Sequence, residues 1–347
     1  STLMRSSAAS DVYKRQLYRR IQMWNPLHLM TYLLNVKISK VNAAGSAAVR
    51  IHILMRCSMK KQVKKFISVQ IQLIAGRYVL MTIDEKPVLS VNNLTVRYGR
   101  GCEKCRTHLE KNRCTVCGTV WAANNISLDV YPGEVLGIVG ESGSGKSTLM
   151  QSLYFDIEPT SGEAFLDGYK NGSESIWTAS AAEKRHIKNS VMGMVYQNPI
   201  RGLRMEYSAA SNIAEKLISA GNRNARYMTK RAEELLSAVE ILTSRMSEAP
   251  KNFSGGMQQR VQISKALANN PSVLLLDEVT TGLDLSVQAR VLDLIRKIKA
   301  EYGISILLVS HDLAVIRMLA DRTVVMLDGK IIESGLTDQI LDCLLYT

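Results

Sequence analysis

Residues 140–147, which read GESGSGKS, constrain the fold of this chain more than any other segment. They match G-x-x-x-x-G-K-[ST], with a predicted apolar strand at residues 135–139 before them and a predicted helix from Lys146 after them. In that context the glycines let backbone N–H groups surround phosphate oxygens, and the helix N-terminus adds its positive dipole end. Lys146 is predicted to bridge the β- and γ-phosphates and Ser147 to ligate Mg²⁺; the alternative is a chance glycine-rich turn. The predicted nucleotide-binding residues of this loop are Gly140, Glu141, Ser142, Gly143, Ser144, Gly145, Lys146, Ser147 and Thr148.

Two acidic residues end a second predicted apolar strand. The run VLLL at residues 273–276 is followed by Asp277 and Glu278. A buried strand can present a carboxylate to a phosphate site only at its carboxyl end. Asp277 is therefore predicted to ligate Mg²⁺ and Glu278 to polarise the attacking water. A solvated strand end, the alternative, would not explain two adjacent acids followed by TTGLD at residues 280–284.

Predicted strands and helices alternate through the rest of this region. Residues 88–98 and 122–130 are predicted to pair antiparallel, and Asp328-Gly329 indicates a hairpin turn. The other predicted elements are strands at residues 304–309, 324–327 and 330–333 and helices at residues 209–220, 229–240 and 286–301. This order predicts an α/β fold with a parallel sheet, an antiparallel β part at its N-terminal edge and a helical insertion.

A third motif gives a family resemblance. Residues 253–260 (FSGGMQQR) resemble the signature motif of ATP-binding cassette proteins, and all three motifs stand in the order of that family. The resemblance covers residues 87–342 and implies a P-loop NTPase cassette with a RecA-like parallel sheet core, an antiparallel β subdomain and a helical subdomain. It also implies a head-to-tail dimer, in which the partner's Ser254, Gly255 and Gly256 complete each ATP site. Two departures from the family pattern are Met257 for glutamine and Val279 for proline.

The resemblance assigns further roles residue by residue. Tyr98 stands where an aromatic side chain stacks on adenine, although packing at a strand end is the alternative. Gln197 matches the glutamine that couples Mg²⁺ and the attacking water to the helical subdomain. His311 matches the histidine that contacts the γ-phosphate, and Asp284 lies in the loop that crosses the dimer interface. The expected catalytic residues are Glu278, His311, Gln197 and Lys146, and the expected Mg²⁺ ligands are Ser147, Gln197 and Asp277.

Three segments resemble a narrower group. Residues 135–149, 253–264 and 319–338 are similar to ATPase subunits of phosphonate carbon–phosphorus lyase systems, a group related to oligopeptide and dipeptide importer ATPases. The first expectation is therefore an ATPase that docks on a lyase core as a homodimer or with a close paralogue. The alternative is the energising subunit of an oligopeptide, dipeptide or nickel-type importer, bound to a separate permease. A non-hydrolysing nucleotide-gated interaction module is a third hypothesis, which the full set of catalytic residues disfavours.

Four of the six cysteines lie in one short segment, residues 102–117. Cys102 and Cys105 form one C-x-x-C pair, and Cys114 and Cys117 form another eight residues later. Paired C-x-x-C units suit a tetrahedral four-cysteine metal site, since each pair covers one side of the ion. Structural Zn²⁺ is the expected ligand, with an iron–sulfur cluster and unligated thiols as alternatives.

The charge of the chain is unevenly distributed. Residues 1–80 hold 14 of the 44 Lys and Arg but one acidic residue, whereas residues 81–347 hold 30 basic and 30 acidic residues. The region that carries the motifs is therefore neutral, so nucleic acid is not an expected partner. The sequence contains no apolar run of about 18 residues, so a membrane role requires another chain. The expected location is the cytoplasm, including peripheral association with the inner face of the cell membrane.

Both ends of the sequence have an unusual composition. Residues 1–16 and 343–347 resemble translated adapter sequence, and residues 17–80 contain no acidic residue. Residues 1–80 are expected to be a largely unstructured read-through extension, with Met81 as the start; a basic targeting arm or an amphipathic anchor is the alternative. The expected organisation is a cassette at residues 81–342, containing a cysteine insert at 102–117 and a helical subdomain at 198–253, followed by an artefactual tail at 343–347.

Overall fold

The computed structural model describes residues 34–40, 48–56, 63–74, 77–83, 86–281 and 283–344. The chain divides into two units between Glu85 and Lys86. The first unit contains an antiparallel sheet of strands in the order β1–β4, namely Leu34–Lys40, Ala48–Arg56, Val63–Ile74 and Arg77–Ile83. This sheet differs from the expectation of a largely unstructured extension. Alternation such as VRIHI at residues 49–53 has the period of a strand. The adapter-like residues 1–16 lie outside the described residues.

The core of the second unit is a six-stranded sheet. Its strand order is β11-β12-β13-β9-β14-β15, and only β15 runs antiparallel to its neighbour. The strands are β9 Val135–Gly140, β11 Met192–Val195, β12 Val273–Asp277, β13 Ser305–Val309, β14 Arg322–Leu327 and β15 Lys330–Leu336. Leu274 and Leu276 pack into one apolar cluster, while Leu275 packs into the other, so the sheet is covered on both faces. The predicted parallel α/β core is confirmed.

A five-stranded antiparallel sheet forms the second layer. Its order is β10-β5-β8-β7-β6, with β5 Leu89–Tyr98, β6 Leu109–Glu110, β7 Arg113–Cys114, β8 Val120–Val130 and β10 Ser161–Leu166. Residues Leu89 and Tyr98 of β5 pair with Val130 and Val120 of β8, which confirms the predicted pairing. The cysteine segment joins these two strands and contributes the short strands β6 and β7. These two short strands extend the sheet on the side of β8 that faces away from β5.

The helices cover the parallel sheet and form the helical region. They are α1 Lys146–Leu153, α2 Ala181–His186, α3 Pro199–Gly202, α4 Ala209–Ser219, α5 Ala225–Ala238, α6 Gly255–Ala266, α7 Leu285–Tyr302, α8 Leu313–Leu319 and α9 Thr337–Leu344. α5 starts earlier than predicted because Asn224 caps it, its side chain accepting the Tyr227 N–H at 3.1 Å. Among the described helices, none combines the length and apolar composition that crossing a bilayer requires. Residues 345–347 of the expected tail lie outside the described residues.

Candidate active site

The glycine-rich loop bends tightly between β9 and α1. Gly143 and Gly145 have φ angles of 82° and 99°, a region that side chains disfavour. The Lys146 Nζ atom donates hydrogen bonds to the carbonyl oxygens of Gly140 at 2.8 Å and Glu141 at 2.7 Å. Lys146 is 5% exposed, so its ammonium group is held at the centre of the loop. The loop therefore has the curvature and the cation that a phosphate site needs.

Two segments pack against this loop, one in β8 and one in the turn between β14 and β15. A Cβ atom on Gly145 would lie 1.9 Å from the carbonyl oxygen of Ala122 in β8. The Gly329 N–H donates to the Ser144 carbonyl at 3.1 Å. Asp328 and Gly329 both have positive φ, as the predicted two-residue hairpin turn requires. The hairpin is confirmed, but no feature of the sequence indicated that it contacts the phosphate loop.

Asp277 ends β12 beside the phosphate loop. It is 4% exposed, and the Ser147 Oγ atom donates to its Oδ1 atom at 3.2 Å. Burial raises the pKa of Asp277, while the hydrogen bond from Ser147 and the charge of Lys146 act in the opposite direction. A hydroxyl beside a buried carboxylate is an oxygen donor set of the kind that Mg²⁺ prefers. These two residues fit a magnesium ion.

Glu278 is the point at which two other predicted catalytic residues, Gln197 and His311, meet. Its Oε2 atom accepts a hydrogen bond from Gln197 Nε2 at 2.8 Å and lies 3.3 Å from His311 Nδ1. Thr281 Oγ1 donates to the same oxygen at 3.3 Å, a contact that the sequence analysis did not predict. The backbone of Glu278 has φ of 46°, a conformation that costs about 1–3 kcal/mol in a residue with a side chain. Its N–H donates to the Val309 carbonyl at 3.0 Å, which helps to hold that conformation.

The charges of the site influence one another. Burial lowers the pKa of Lys146, and the carboxylates of Glu278 and Asp277 oppose that shift. Burying an ammonium group is costly unless opposite charges nearby balance it, and Glu278 and Asp277 supply those charges here. The two carboxylates therefore favour the charged form of Lys146, at the position where phosphate charge would arrive.

The signature motif and the loop before α7 lie together in this chain. Ser254 caps α6, and its side chain accepts the Met257 N–H at 3.4 Å. Gly256 is buried, and a Cβ atom at this position would lie 2.5 Å from Val287 Cγ1 in α7. Ser254, Gly255 and Asp284 are exposed, and Tyr98 is 47% exposed at the end of β5. These four residues therefore face solvent and can be reached by a ligand or a second chain.

The four cysteines of residues 102–117, hereafter the cysteine knuckle, converge on one point. Their sulfur atoms all lie within 4.8 Å of one another, and three of the pairs are 3.4, 3.7 and 3.8 Å apart. Four sulfurs at about 2.3 Å from a tetrahedral ion would be about 3.8 Å apart, whereas a disulfide bond is about 2.05 Å long. Hydrogen bonding with Thr119 lowers the pKa of Cys117 to about 6, whereas desolvation raises the pKa of Cys102 to about 12, so without a metal Cys117 loses its proton more readily than Cys102. The donor set fits a tetrahedral metal ion.

A buried lysine joins the helical region to the core near Gln197. Lys216 of α4 is 8% exposed, and its Nζ atom donates to Tyr154 Oη at 2.9 Å and to the Lys188 carbonyl. Tyr196, the residue before Gln197, packs edge-on against Tyr154 with ring centroids 6.3 Å apart. Burial, together with the charges of Lys265 and Lys188, lowers the pKa of Lys216 to about 7. The helical region is thus anchored by a group that titrates near neutral pH.

This lysine predicts a pH dependence of stability. Between pH 7 and pH 10 the unfolded chain keeps the Lys216 proton that the folded chain has released, so the free energy of unfolding rises with pH. The slope is at most about 1.4 kcal/mol per pH unit, and below pH 7 it disappears because both states are protonated. Lys216→Met should flatten this slope in urea unfolding, whereas Lys230→Met, which removes an exposed lysine of α5, should retain it. An unchanged slope in Lys216→Met would contradict the assignment.

The fold and the site together define a P-loop nucleotide hydrolase. A family model described as ABC transporter matches residues 123–281. Over 257 residues the chain is 43% identical to the phosphonates utilization ATP-binding protein PhnK of Escherichia coli (strain K12), covering 74% of this chain and 92% of that protein. This chain belongs to the ATP-binding cassette ATPases and hydrolyses ATP.

Importer ATPases and solved cassettes are also similar. The oligopeptide transport ATP-binding protein OppF of Bacillus subtilis is 35% identical over 236 residues, which cover 68% of this chain and 76% of that protein. The dimeric cassette MJ0796, in a post-hydrolysis state bound to ADP and Pi, superposes with a TM-score of 0.61 and 29% identity, covering 72% of this chain and 98% of that one. Cassettes of this family bind ATP, typically with Mg²⁺, form dimers and work with membrane permeases.

Proposed function

We propose that this chain is the ATPase subunit of a phosphonate carbon–phosphorus lyase system. The observation that carries the proposal is the similarity to the Escherichia coli protein named for phosphonates utilization, which extends over nearly all of that protein. The importer ATPases match at lower identity and over a smaller part of their length. Their similarity supports the second candidate, an energising subunit of an oligopeptide, dipeptide or nickel-type importer.

Growth on defined phosphorus sources separates the two candidates. Deleting the gene from its own cell should abolish growth on methylphosphonate as the sole phosphorus source and leave growth on phosphate unchanged. The wild-type gene should restore growth, and a Glu278→Gln copy should not. Normal growth of the deletion strain on methylphosphonate, with loss of growth on peptides, would instead establish the importer function.

We infer the following roles within the ATP site. Lys146 and the loop N–H groups bind the β- and γ-phosphates, and Ser147, Asp277 and Gln197 hold Mg²⁺. The bound ion neutralises phosphate charge. Glu278 orients the attacking water and accepts its proton as the water oxygen bonds to the γ-phosphorus and the bond to the β-phosphate oxygen breaks.

His311 contacts the transferred γ-phosphoryl group in this scheme. Its Nδ1 atom already faces the same Glu278 oxygen that accepts from Gln197, so one carboxylate positions both side chains. The carboxylate would therefore link the water to His311, which contacts the γ-phosphate, and to Gln197, which couples the water to the helical region. ADP and phosphate leave as products, with the water proton transferred to Glu278.

A second cassette is needed to complete the site. Ser254, Gly255 and Asp284 are exposed, as residues that contact a partner's nucleotide must be. Tyr98 is exposed at the end of β5, where its ring is available for stacking on adenine. We infer that the partner is a second copy or a close paralogue, and that the dimer docks on a lyase core in the cytoplasm, at or near the inner face of the membrane.

We further infer that the cysteine knuckle binds one structural Zn²⁺ ion. The protein purified without chelator should contain one zinc per chain by elemental analysis. Cys105→Ser combined with Cys114→Ser should remove the metal, and Cys57→Ser should retain it. Iron with visible absorption would identify an iron–sulfur cluster instead, and metal-free protein in which all six cysteines react as thiols would contradict the site.

A further inference from the structure

We propose that metal binding by the cysteine knuckle and ATP binding are coupled through Thr119. The inference rests on the proposed ATP site and the proposed zinc site, and it adds an energetic connection between them. Thr119 lies two residues after Cys117 and immediately before β8. The connection consists of three contacts, which join the knuckle to Thr119, Thr119 to the end of β5, and β8 to the phosphate loop.

Thr119 is anchored to both ends of the knuckle. Its side chain is 2% exposed, and its Oγ1 atom accepts the Gly101 N–H at 3.0 Å and lies 3.2 Å from Cys117 Sγ. Its carbonyl accepts the Cys114 N–H at 2.8 Å. A metal-bound cysteine is a thiolate, so the hydroxyl can donate to Cys117 while it accepts from Gly101. The hydrogen bonds of this buried hydroxyl therefore depend on an ordered knuckle.

The second contact joins Thr119 to the end of β5, which carries the Tyr98 ring proposed to stack on adenine. Gly99 has φ of +119°, and a Cβ atom there would lie 2.7 Å from Thr119 Oγ1. The backbone after Tyr98 thus passes directly over the Thr119 hydroxyl. Tyr98 itself pairs with Val120, the residue after Thr119. A displacement of Thr119 would move the strand end that carries the Tyr98 ring.

The third contact joins β8 to the phosphate loop. The Trp121 N–H donates to the Asn112 carbonyl of the knuckle at 2.7 Å. The next residue, Ala122, places its carbonyl oxygen against Gly145 of the phosphate loop. Only two residues of β8 therefore separate Thr119 from Ala122, which contacts the phosphate loop.

Loss of the metal would weaken all three contacts. The knuckle is too short for an apolar core, and among its described side chains only Cys105 and Cys114 are buried. Small segments of this kind depend on their metal for folding, so the metal-free knuckle would lose the order that satisfies Thr119. ATP would then have to order the ends of β5 and β8 as it binds. Coupling of this kind is typically at least about 5-fold and acts equally in both directions.

A binding cycle on the full chain tests the inference. ATP affinity is measured for zinc-loaded and metal-stripped protein, and zinc affinity is measured in a metal buffer with and without excess Mg-ATP. Stripping the metal should weaken ATP binding at least about 5-fold, and ATP should tighten zinc binding by the same factor. Thr119→Val, which removes the hydroxyl and retains the shape, should bind zinc but lose the coupling. Thr119→Ser should preserve it.

Each other outcome contradicts a different statement. Zinc binding with no change in ATP affinity would overturn the coupling and leave the proposed function intact. Equal coupling in Thr119→Val and wild type would overturn the role of Thr119. A protein that binds ATP but no zinc would refute the metal site and the inference together. Absence of ATP binding in the zinc-loaded wild type would refute the ATP site itself.

Discussion

Replacing Glu278 by glutamine is expected to lower ATP turnover by about 100-fold or more while ATP binding persists. The side chain is the proposed base, and Gln197, Thr281 and His311 all face its Oε2 atom. Glutamine has nearly the same shape and can keep an oxygen at that position, but it cannot accept the proton of the attacking water. ATP should therefore bind and remain unhydrolysed. Phosphate release and equilibrium ATP binding measure the two effects separately.

The matched control is Glu301→Gln, which removes an exposed carboxylate near the end of α7. It changes the net charge equally and should leave turnover within about 2-fold of wild type, because surface substitutions have small effects. Wild-type turnover in Glu278→Gln would exclude this carboxylate as the base. A parallel loss of ATP binding would instead indicate that Glu278 maintains the site.

The site could be predicted where its chemistry is concentrated in short segments. The phosphate loop and the Asp277-Glu278 pair each combine a buried strand with the polar residues that follow it, so local spacing was enough. The positions of Gln197 and His311 came from the family resemblance, and the structure brings both to Glu278. Their proximity depends on the parallel pairing of β11, β12 and β13, whose carboxyl ends share one edge of the sheet.

Other features depend on contacts between distant segments and left no local signal. Thr281 lies in the segment TTGLD at residues 280–284, but its hydrogen bond to Glu278 depends on the turn after β12. The support that Ala122 gives to Gly145 joins two residues that the rest of β8 and the whole of β9 separate in the sequence. β10 was missed because its sequence SGEAFL is short and only half apolar, and its pairing with β5 supplies most of its stability.

Gly145→Ala should weaken ATP binding by about 100-fold, whereas Gly143→Ala should weaken it by only about 5-fold. Both glycines have positive φ, so alanine is strained at either position. At Gly143 the methyl group would meet no atom within 4 Å, and the strain of about 1 kcal/mol is the whole cost. At Gly145 the methyl group would lie 1.9 Å from the Ala122 carbonyl oxygen. Backbone atoms cannot rotate away, so the loop must shift, and overpacking adds about 1–3 kcal/mol.

The comparison tests whether β8 shapes the phosphate loop. ATP affinity and the thermal unfolding midpoint of both variants should be measured, because a shifted loop weakens binding while a damaged core lowers the midpoint. A large loss of affinity confined to Gly145→Ala would show that contact with Ala122 determines the loop conformation. Equal losses in the two variants would mean that backbone strain alone matters and that β8 does not constrain the loop. In that case the contact between β8 and the phosphate loop would not connect the cysteine knuckle to the ATP site. Only the contact between Thr119 and the end of β5, which carries Tyr98, would remain.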